Sequence, residues 1–311
     1  MPATESPTHG TTSVLLAELI ALRARAGKPV AGRTREAAPR AGAHVARVRG
    51  RGMDYAESRV YQPGDDARTI DWRRTARSGK WHTKVFQIER ERAVVAMVDT
   101  HPTMRFGTRV RFKSVAAARA AAWLAWTSVR GGDRVGALAF GAVRDALDAR
   151  PGVRGALAVA GALTRWDAAM RAEGVNMAEP LSVALQRVQR LAPHGGQVWL
   201  LSDGWCTDDS AAPVLAHLAR RVDLRVVIVV DALERDLAPP GAYRFDTASG
   251  QCRVDLSRTG ARAAFRSRMA QGKLQLAAAC DRAGVAWVEL PAGADPAVRL
   301  TPLLRRRARR P

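Results

Sequence analysis

The sequence predicts an α/β fold: a mainly parallel sheet flanked by helices, preceded by an N-terminal arm. Three observations predict it. Short apolar runs rich in Val recur along the chain, helical stretches separate them, and some of the runs end in an aspartate, among them those closing at Asp99 and Asp203. A run that is apolar at every position fits a strand covered on both faces. Strands alternating with helices specify βαβ units and a parallel sheet, with right-handed crossovers. The chain has 311 residues, 47% hydrophobic and 25% charged, enough for one large core or two smaller ones. Aromatics make up only 5%, so Ala, Val and Leu supply most of the packing.

Residues 1–12 read as disordered. Leu15, Leu16, Leu19, Ile20 and Leu22 recur at helical spacing, which predicts a helix over 13–26. Glu18, Arg23 and Arg25 make it amphipathic and unsuited to crossing a membrane. Residues 27–50, rich in Gly, Pro, Ala and Arg, read as a linker or extended arm. A dense polar segment follows, with a turn at Gln62-Pro63-Gly64-Asp65, and then partial alternation over 81–90 suggests a strand. Buried strands are expected at 93–99, 134–140, 197–203, 224–231 and 285–290. The helices between them are expected at 112–130, 152–164, 177–192, 210–221 and 258–283, with Gly131-Gly132 ending the first. Tyr243–Leu256 suggests a hairpin around Ala248-Ser249-Gly250. The expected organisation is an N-terminal helix and flexible arm over 1–43, a polar segment packed on the main domain over 44–91, and the sheet domain with a basic tail over 92–311.

The net charge is +21, carried mostly by Arg. Lysine occurs only at Lys28, Lys80, Lys84, Lys113 and Lys273. Such an excess suits nucleic acid, an acidic protein or an anionic surface. It also suits simple composition, because the arginines are scattered and lack interleaved stacking aromatics. Cys206, Cys252 and Cys280 are odd in number and far apart. That pattern disfavours a disulfide framework or a zinc ribbon and reads as small buried residues in a reducing compartment. Without a visible signal peptide or membrane span, the expected location is cytoplasmic. No G-x-S-x-G, H-E-x-x-H or phosphate-loop motif is present, so the expectation is a non-enzyme.

Ligands of parallel α/β sheets bind outside the carboxyl ends of the strands. Here Asp99-Thr100-His101-Pro102-Thr103 follows one strand and Leu201-Ser202-Asp203-Gly204 ends another. The pair resembles the metal-ion-dependent adhesion site of von Willebrand factor A domains, which places Asp-x-Ser-x-Ser after a first strand, a Thr in a later loop and an Asp after a further strand. Gly174-Val175-Asn176-Met177 resembles the intervening Gly-Thr-Asn loop, with Val175 in the Thr position and His101 in a Ser position. The resemblance implies a binding rim of Asp99, His101, Thr103, Val175, Asn176, Asp203 and Gly204. Within it, Asp99, Thr103 and Asp203 are the candidate ligands of Mg²⁺ or another divalent cation. The alternative is that no cofactor binds, and Asp99 and Asp203 cap helix N-termini and order their loops.

A second resemblance is longer. Gly50-Arg51-Gly52-Met53, Arg59 to Asp66 with its Gln62-Pro63-Gly64-Asp65-Asp66 core, Arg68-Thr69-Ile70-Asp71-Trp72 and Ala76-Arg77 are similar to the hallmark of bacterial proteins called "domain of unknown function 58". In those proteins the segment precedes a von Willebrand A-like, Rossmann-type domain. The likeness is closest over about 44–140 and extends to the C-terminus. In this segment Arg59, Tyr61, Gly64, Asp65, Asp66, Arg68, Asp71, Trp72 and Arg77 are candidates for a paired structural network anchored by Trp72, or for a partner-docking surface. The resemblance implies a non-catalytic protein-interaction module working with a MoxR-type AAA+ ATPase on a protein complex. The alternatives are a metal-dependent hydrolase using Asp99 and Asp203, and nucleic-acid binding through the Arg excess.

Overall fold

A computed structural model describes residues 10–27, 53–63, 65–88, 91–171, 179–236, 239–247 and 250–305. The chain divides into two compact units, one of Met1–Val30 with Arg92–Pro311 and one of Ala31–Glu91.

In the larger unit, α1 (Leu16–Ala21) runs on as a 3₁₀ turn to Arg25. In the smaller unit, β1 (Met53–Val60) pairs antiparallel with β2 (His82–Ile88), and α2 (Trp72–Ser78) lies between them in sequence. The polar composition of 53–60 conceals β1. It is a strand by virtue of its partner.

The rest of the larger unit follows in order: β3 (Ala93–Asp99), α3 (Lys113–Arg130), β4 (Arg134–Phe140), β5 (Asp145–Pro151), α4 (Gly152–Ala169), α5 (Leu181–Leu191), β6 (Gln197–Ser202), α6 (Ala211–Arg221), β7 (Asp223–Val230), α7 (Ala232–Arg235), β8 (Ala242–Thr247), β9 (Gly250–Asp255), α8 (Thr259–Met269), α9 (Gln271–Ala283), β10 (Ala286–Pro291) and α10 (Pro296–Arg305). Six strands form one sheet in the order β10-β7-β6-β3-β4-β5. Every neighbouring pair is parallel except β4 with β5. The sequence did not suggest β5, because an edge strand that is largely exposed needs no apolar run. β8 and β9 form the expected hairpin.

The apolar runs are explained by two cores. Val94, Ala96, Val98, Trp199, Leu201, Val227 and Val229 join one hydrophobic cluster. Their alternates Val95, Met97, Val198, Leu200, Val226, Ile228 and Val230 join another. Helices α1, α3, α4 and α10 supply the first cluster, and α5, α6 and α9 the second. The mixed α/β fold with a helix-flanked central sheet is therefore the one expected.

Other expectations change. The N-terminal helix is no detached arm: Val14, Leu19, Leu22 and Ala26 are buried with Trp123 and Trp126, and the two indoles donate to Arg25 O (3.2 Å) and Leu19 O (2.9 Å). The boundary expected at residue 43 thus does not separate this helix from the sheet domain. The single helix expected over 258–283 is two helices meeting at Ala270. The helix expected from 177 begins at Leu181, after Pro180 at the cap.

Candidate functional site

β3 sits at the middle of the sheet, with β4 on one side and β6 on the other. The chain leaves β3 toward β4 and β6 toward β7, the topological switch point beside which ligands of open α/β sheets bind. Asp99 is the last residue of β3, and Asp203 follows the last residue of β6.

Asp99 is 1% exposed, so its carboxylate must be satisfied internally. Oδ1 accepts from the His101 backbone N–H at 2.8 Å and contacts the ring Nδ1 at 2.7 Å. Oδ2 accepts from Ser202 Oγ at 2.5 Å and lies 3.5 Å from Cys206 Sγ. The His101 ring meets Phe140 edge-on at 5.9 Å and lies against Gly141. A Cβ at Gly141, whose φ is +103°, would stand 2.5 Å from Nδ1, so only glycine leaves room for the imidazole. Burial depresses the His101 pKa, but the Asp99 hydrogen bond and the Asp99 and Asp203 charges outweigh it and the net shift is upward. The Cys206 thiol is pushed well above its ordinary pKa, by burial first and then by the Asp99 charge. That is the opposite of an activated nucleophile.

Asp203 belongs to a second network. Lys113 Nζ lies 2.8 Å from Asp203 Oδ2 and 2.5 Å from Glu234 Oε1. All three side chains are buried, and the ammonium faces the Phe106 ring at 5.6 Å. Burial alone would lower the Lys113 pKa, but two carboxylates against one ammonium raise it. Glu234 is pushed up by burial against the pull of Lys113. Asp231, just past β7, accepts from Leu233 N–H and forms a capping box with Glu234. It also accepts from Thr108 N (3.0 Å) and Oγ1 (2.5 Å). These bonds tie the ends of β6 and β7 to the start of α3.

The donors do not suit the hard cation that the first resemblance implied. Asp203 is neutralised by Lys113, Thr103 is exposed on the surface, and the position beside Asp99 holds an imidazole. Mg²⁺ and Ca²⁺ require a cage of oxygens, which Asp99, Thr103 and Asp203 do not offer here. Val175 and Asn176 lie outside the described residues. Gly204 has φ +87°, and a Cβ there would stand 2.2 Å from Gly272 O. Its role is close backbone approach to α9, while its N–H contacts Ser202 Oγ at 3.0 Å. Lys113, Ser202, Cys206 and Glu234 were missed as site residues. A lone Lys, Ser, Cys or Glu carries no spacing signal, and only the register of the strands brings them to this rim.

In the smaller unit the expected charge network is sparser than the sequence suggested. Arg59 pairs with Asp65 at 2.6 Å, and Tyr61 OH donates to Asp65 O at 3.2 Å. Asp66 caps the 3₁₀ turn Ala67–Thr69 through the Arg68 N–H, and Asp71 caps α2 while accepting from Ser58 Oγ at 2.6 Å. Arg68 and Arg77 are exposed and make no ion pair among the described residues. Gly64 lies outside the described residues. Trp72 is no apolar anchor: it is 65% exposed, as Trp81 is 56% exposed, with ring centroids 6.2 Å apart. Tyr61 lies 6.0 Å from Trp81 on its other side.

The Arg59 hydrogen bond holds Asp65 below its ordinary pKa, and the Ser58 hydrogen bond does the same for Asp71. Both groups bind fewer protons folded than unfolded near pH 4, so their stabilisation is present above the ordinary carboxylate pKa of 3.8 and is lost as pH falls through the lower folded values. Acid titration followed by tryptophan fluorescence should show Asp71→Asn losing the part of this dependence that Asp71 supplies. An unchanged acid limb in that variant would refute the assignment.

Residues 57–275 match the family model described as "Protein of unknown function DUF58". "Uncharacterized protein Mb1516" of Mycobacterium bovis and "Uncharacterized protein Rv1480" of Mycobacterium tuberculosis are each 31% identical over 201 residues, 64% of this chain. The match spans 62% of the length of those relatives. Among solved structures, BatB from Bacteroides thetaiotaomicron is 12% identical with TM-score 0.38, covering 64% of this chain and 90% of that one. A von Willebrand factor type A protein from Catenulispora acidiphila is 14% identical with TM-score 0.35, covering 61% and 44%. No helix among the described residues is long and apolar enough to cross a membrane.

Proposed function

This chain belongs to the DUF58 family, and on that premise we propose that it is a non-catalytic protein-interaction module whose partner is a MoxR-type AAA+ ATPase. One observation carries the docking reading: Trp72 and Trp81 stand 65% and 56% exposed within the segment that bears the family's motif. Contiguous exposed aromatics mark interaction sites, and Trp is among the commonest binding hot spots. Exposed Arg73, Arg74, Arg77 and Lys80 flank the pair, which suits an acidic patch on the partner. The ATPase as partner is what the family resemblance implies.

The rim of the larger unit supports the non-catalytic reading. The Asp99, Asp203, Glu234 and Lys113 side chains are engaged with one another or with their own loops. No carboxylate of this group is left to activate water. Thr103, exposed after β3, is the probe of a second contact on that rim.

The test is a pull-down and titration of the MoxR-type ATPase with the full chain carrying Trp72→Ala and Trp81→Ala. Exposed side chains of this kind can be removed with little change in stability. Each substitution is expected to cost about 2 kcal/mol of binding, a Kd raised about 30-fold, and added salt should weaken the wild-type complex. Affinity unchanged in both tryptophan variants sinks the docking reading. Thr103→Arg reports separately on the rim.

A further inference from the structure

We propose that Asp99, His101 and Cys206 form a binding site for a transition-metal dication, Zn²⁺ foremost. The site goes beyond the docking reading and stands or falls separately from it.

Asp99 ends β3, and His101 and Cys206 lie in the loops that follow the two adjacent parallel strands β3 and β6. One donor atom from each lies within 4.8 Å of the others. Zn–N distances of about 2.0–2.1 Å and Zn–S of about 2.3 Å, with tetrahedral angles, place neighbouring donors roughly 3.3–3.6 Å apart. Cys206 Sγ is already 3.5 Å from Asp99 Oδ2. The Nδ1–Oδ1 contact of 2.7 Å is shorter, as expected where a shared proton stands in for a metal. Metal binding would part these two atoms by roughly 0.6–0.9 Å.

The chemistry of the donors selects the ion. Nitrogen and sulfur donors favour Zn²⁺ over Mg²⁺ or Ca²⁺. One thiolate and one carboxylate neutralise a dication, which suits a pocket where Asp99 is 1% and His101 6% exposed. On binding, Sγ and Nδ1 form bonds to the metal, and the thiol proton and the proton between Nδ1 and Asp99 leave to solvent. The surroundings supply the outer shell that such sites require. Ser202 Oγ holds Asp99 Oδ2 at 2.5 Å, and Gly141 leaves space for the ring. His101 Nε2 is buried without a hydrogen bond among the described residues. Nδ1, the ring nitrogen 2.7 Å from Asp99 Oδ1, is the one placed to bind the metal beside that carboxylate. The fourth position is open to water or to a donor from a bound partner.

The full chain, stripped with chelator and carrying Cys252→Ser to remove the exposed thiol, is titrated with Co²⁺ and then Zn²⁺. The expected result is a sulfur-to-cobalt charge-transfer band with tetrahedral visible bands, both abolished by Zn²⁺. Cys206→Ser should remove the charge-transfer band and weaken Zn²⁺ binding more than about 100-fold, beyond the 10–100-fold typical of losing an outer-shell partner. No band at saturating Co²⁺, or a band that survives Cys206→Ser, overturns the proposal. A Cys252→Ser, Cys280→Ala chain, in which Cys206 is the one remaining thiol, decides the matter even if the Cys206 variant fails to fold.

Discussion

Lys113→Met is expected to destabilise the larger unit by about 3–5 kcal/mol, because it leaves Asp203 and Glu234 buried without their cation. Lys113 is the first residue of α3, where the helix dipole repels a positive charge. Its place is explained instead by the carboxylates at 2.8 and 2.5 Å that converge on Nζ. Unlike a surface pair, this one is scarcely screened by salt, so the loss should persist at high ionic strength. The triple variant Lys113→Met, Asp203→Asn, Glu234→Gln removes the stranded charges and should recover much of the loss, since a neutral buried group costs far less than an unpaired ion. Chemical denaturation reads both. A Lys113→Met chain as stable as wild type would show that the network does not hold the rim together.

Trp126→Ala is expected to cost about 3–5 kcal/mol, the range for deleting a buried aromatic. It is also expected to release the N-terminal helix. The Trp126 side chain is 2% exposed, and its indole donates to Leu19 O at 2.9 Å. Leu19, Leu22 and Val14 pack in the same cluster. The substitution therefore opens a cavity beneath α1 and unties its backbone at once. Limited proteolysis should cut within residues 10–27 faster in the variant than in wild type. Equal protection of that stretch would mean that the helix is held by other contacts.

Both predictions concern residues whose importance is invisible in one dimension. Lys113 is a single lysine inside an Arg-rich chain. Trp126 reads from spacing as one of several apolar positions on α3, with nothing to say that a helix some hundred residues earlier covers it. The strands β3, β4, β6 and β7 were legible because a strand covered on both faces must be apolar throughout, whereas β10, expected as buried, is a half-buried edge strand. The edge strand β5 was not legible, because it is largely exposed, and β1 was not, because its residues are mostly polar. Trp72 misled in the opposite sense. A tryptophan in a polar segment suggests an anchor, and only the coordinates place it in solvent.

By itself, the sequence determined that the chain folds as an α/β sheet domain, that two of its strand runs close on Asp99 and Asp203, and that the segment from Arg59 to Arg77 carries a family motif. These are properties of local pattern: burial on two faces, an acid at a strand end, a dense motif. The tertiary structure decided what those acids do. Strand register sets Cys206 and Ser202 against Asp99, and the start of α3 drives Lys113 between Asp203 and Glu234. The physical reason is that a buried carboxylate must find a proton, an ammonium, a metal or a donor to satisfy it, and the partner it finds comes from wherever the packed chain delivers one.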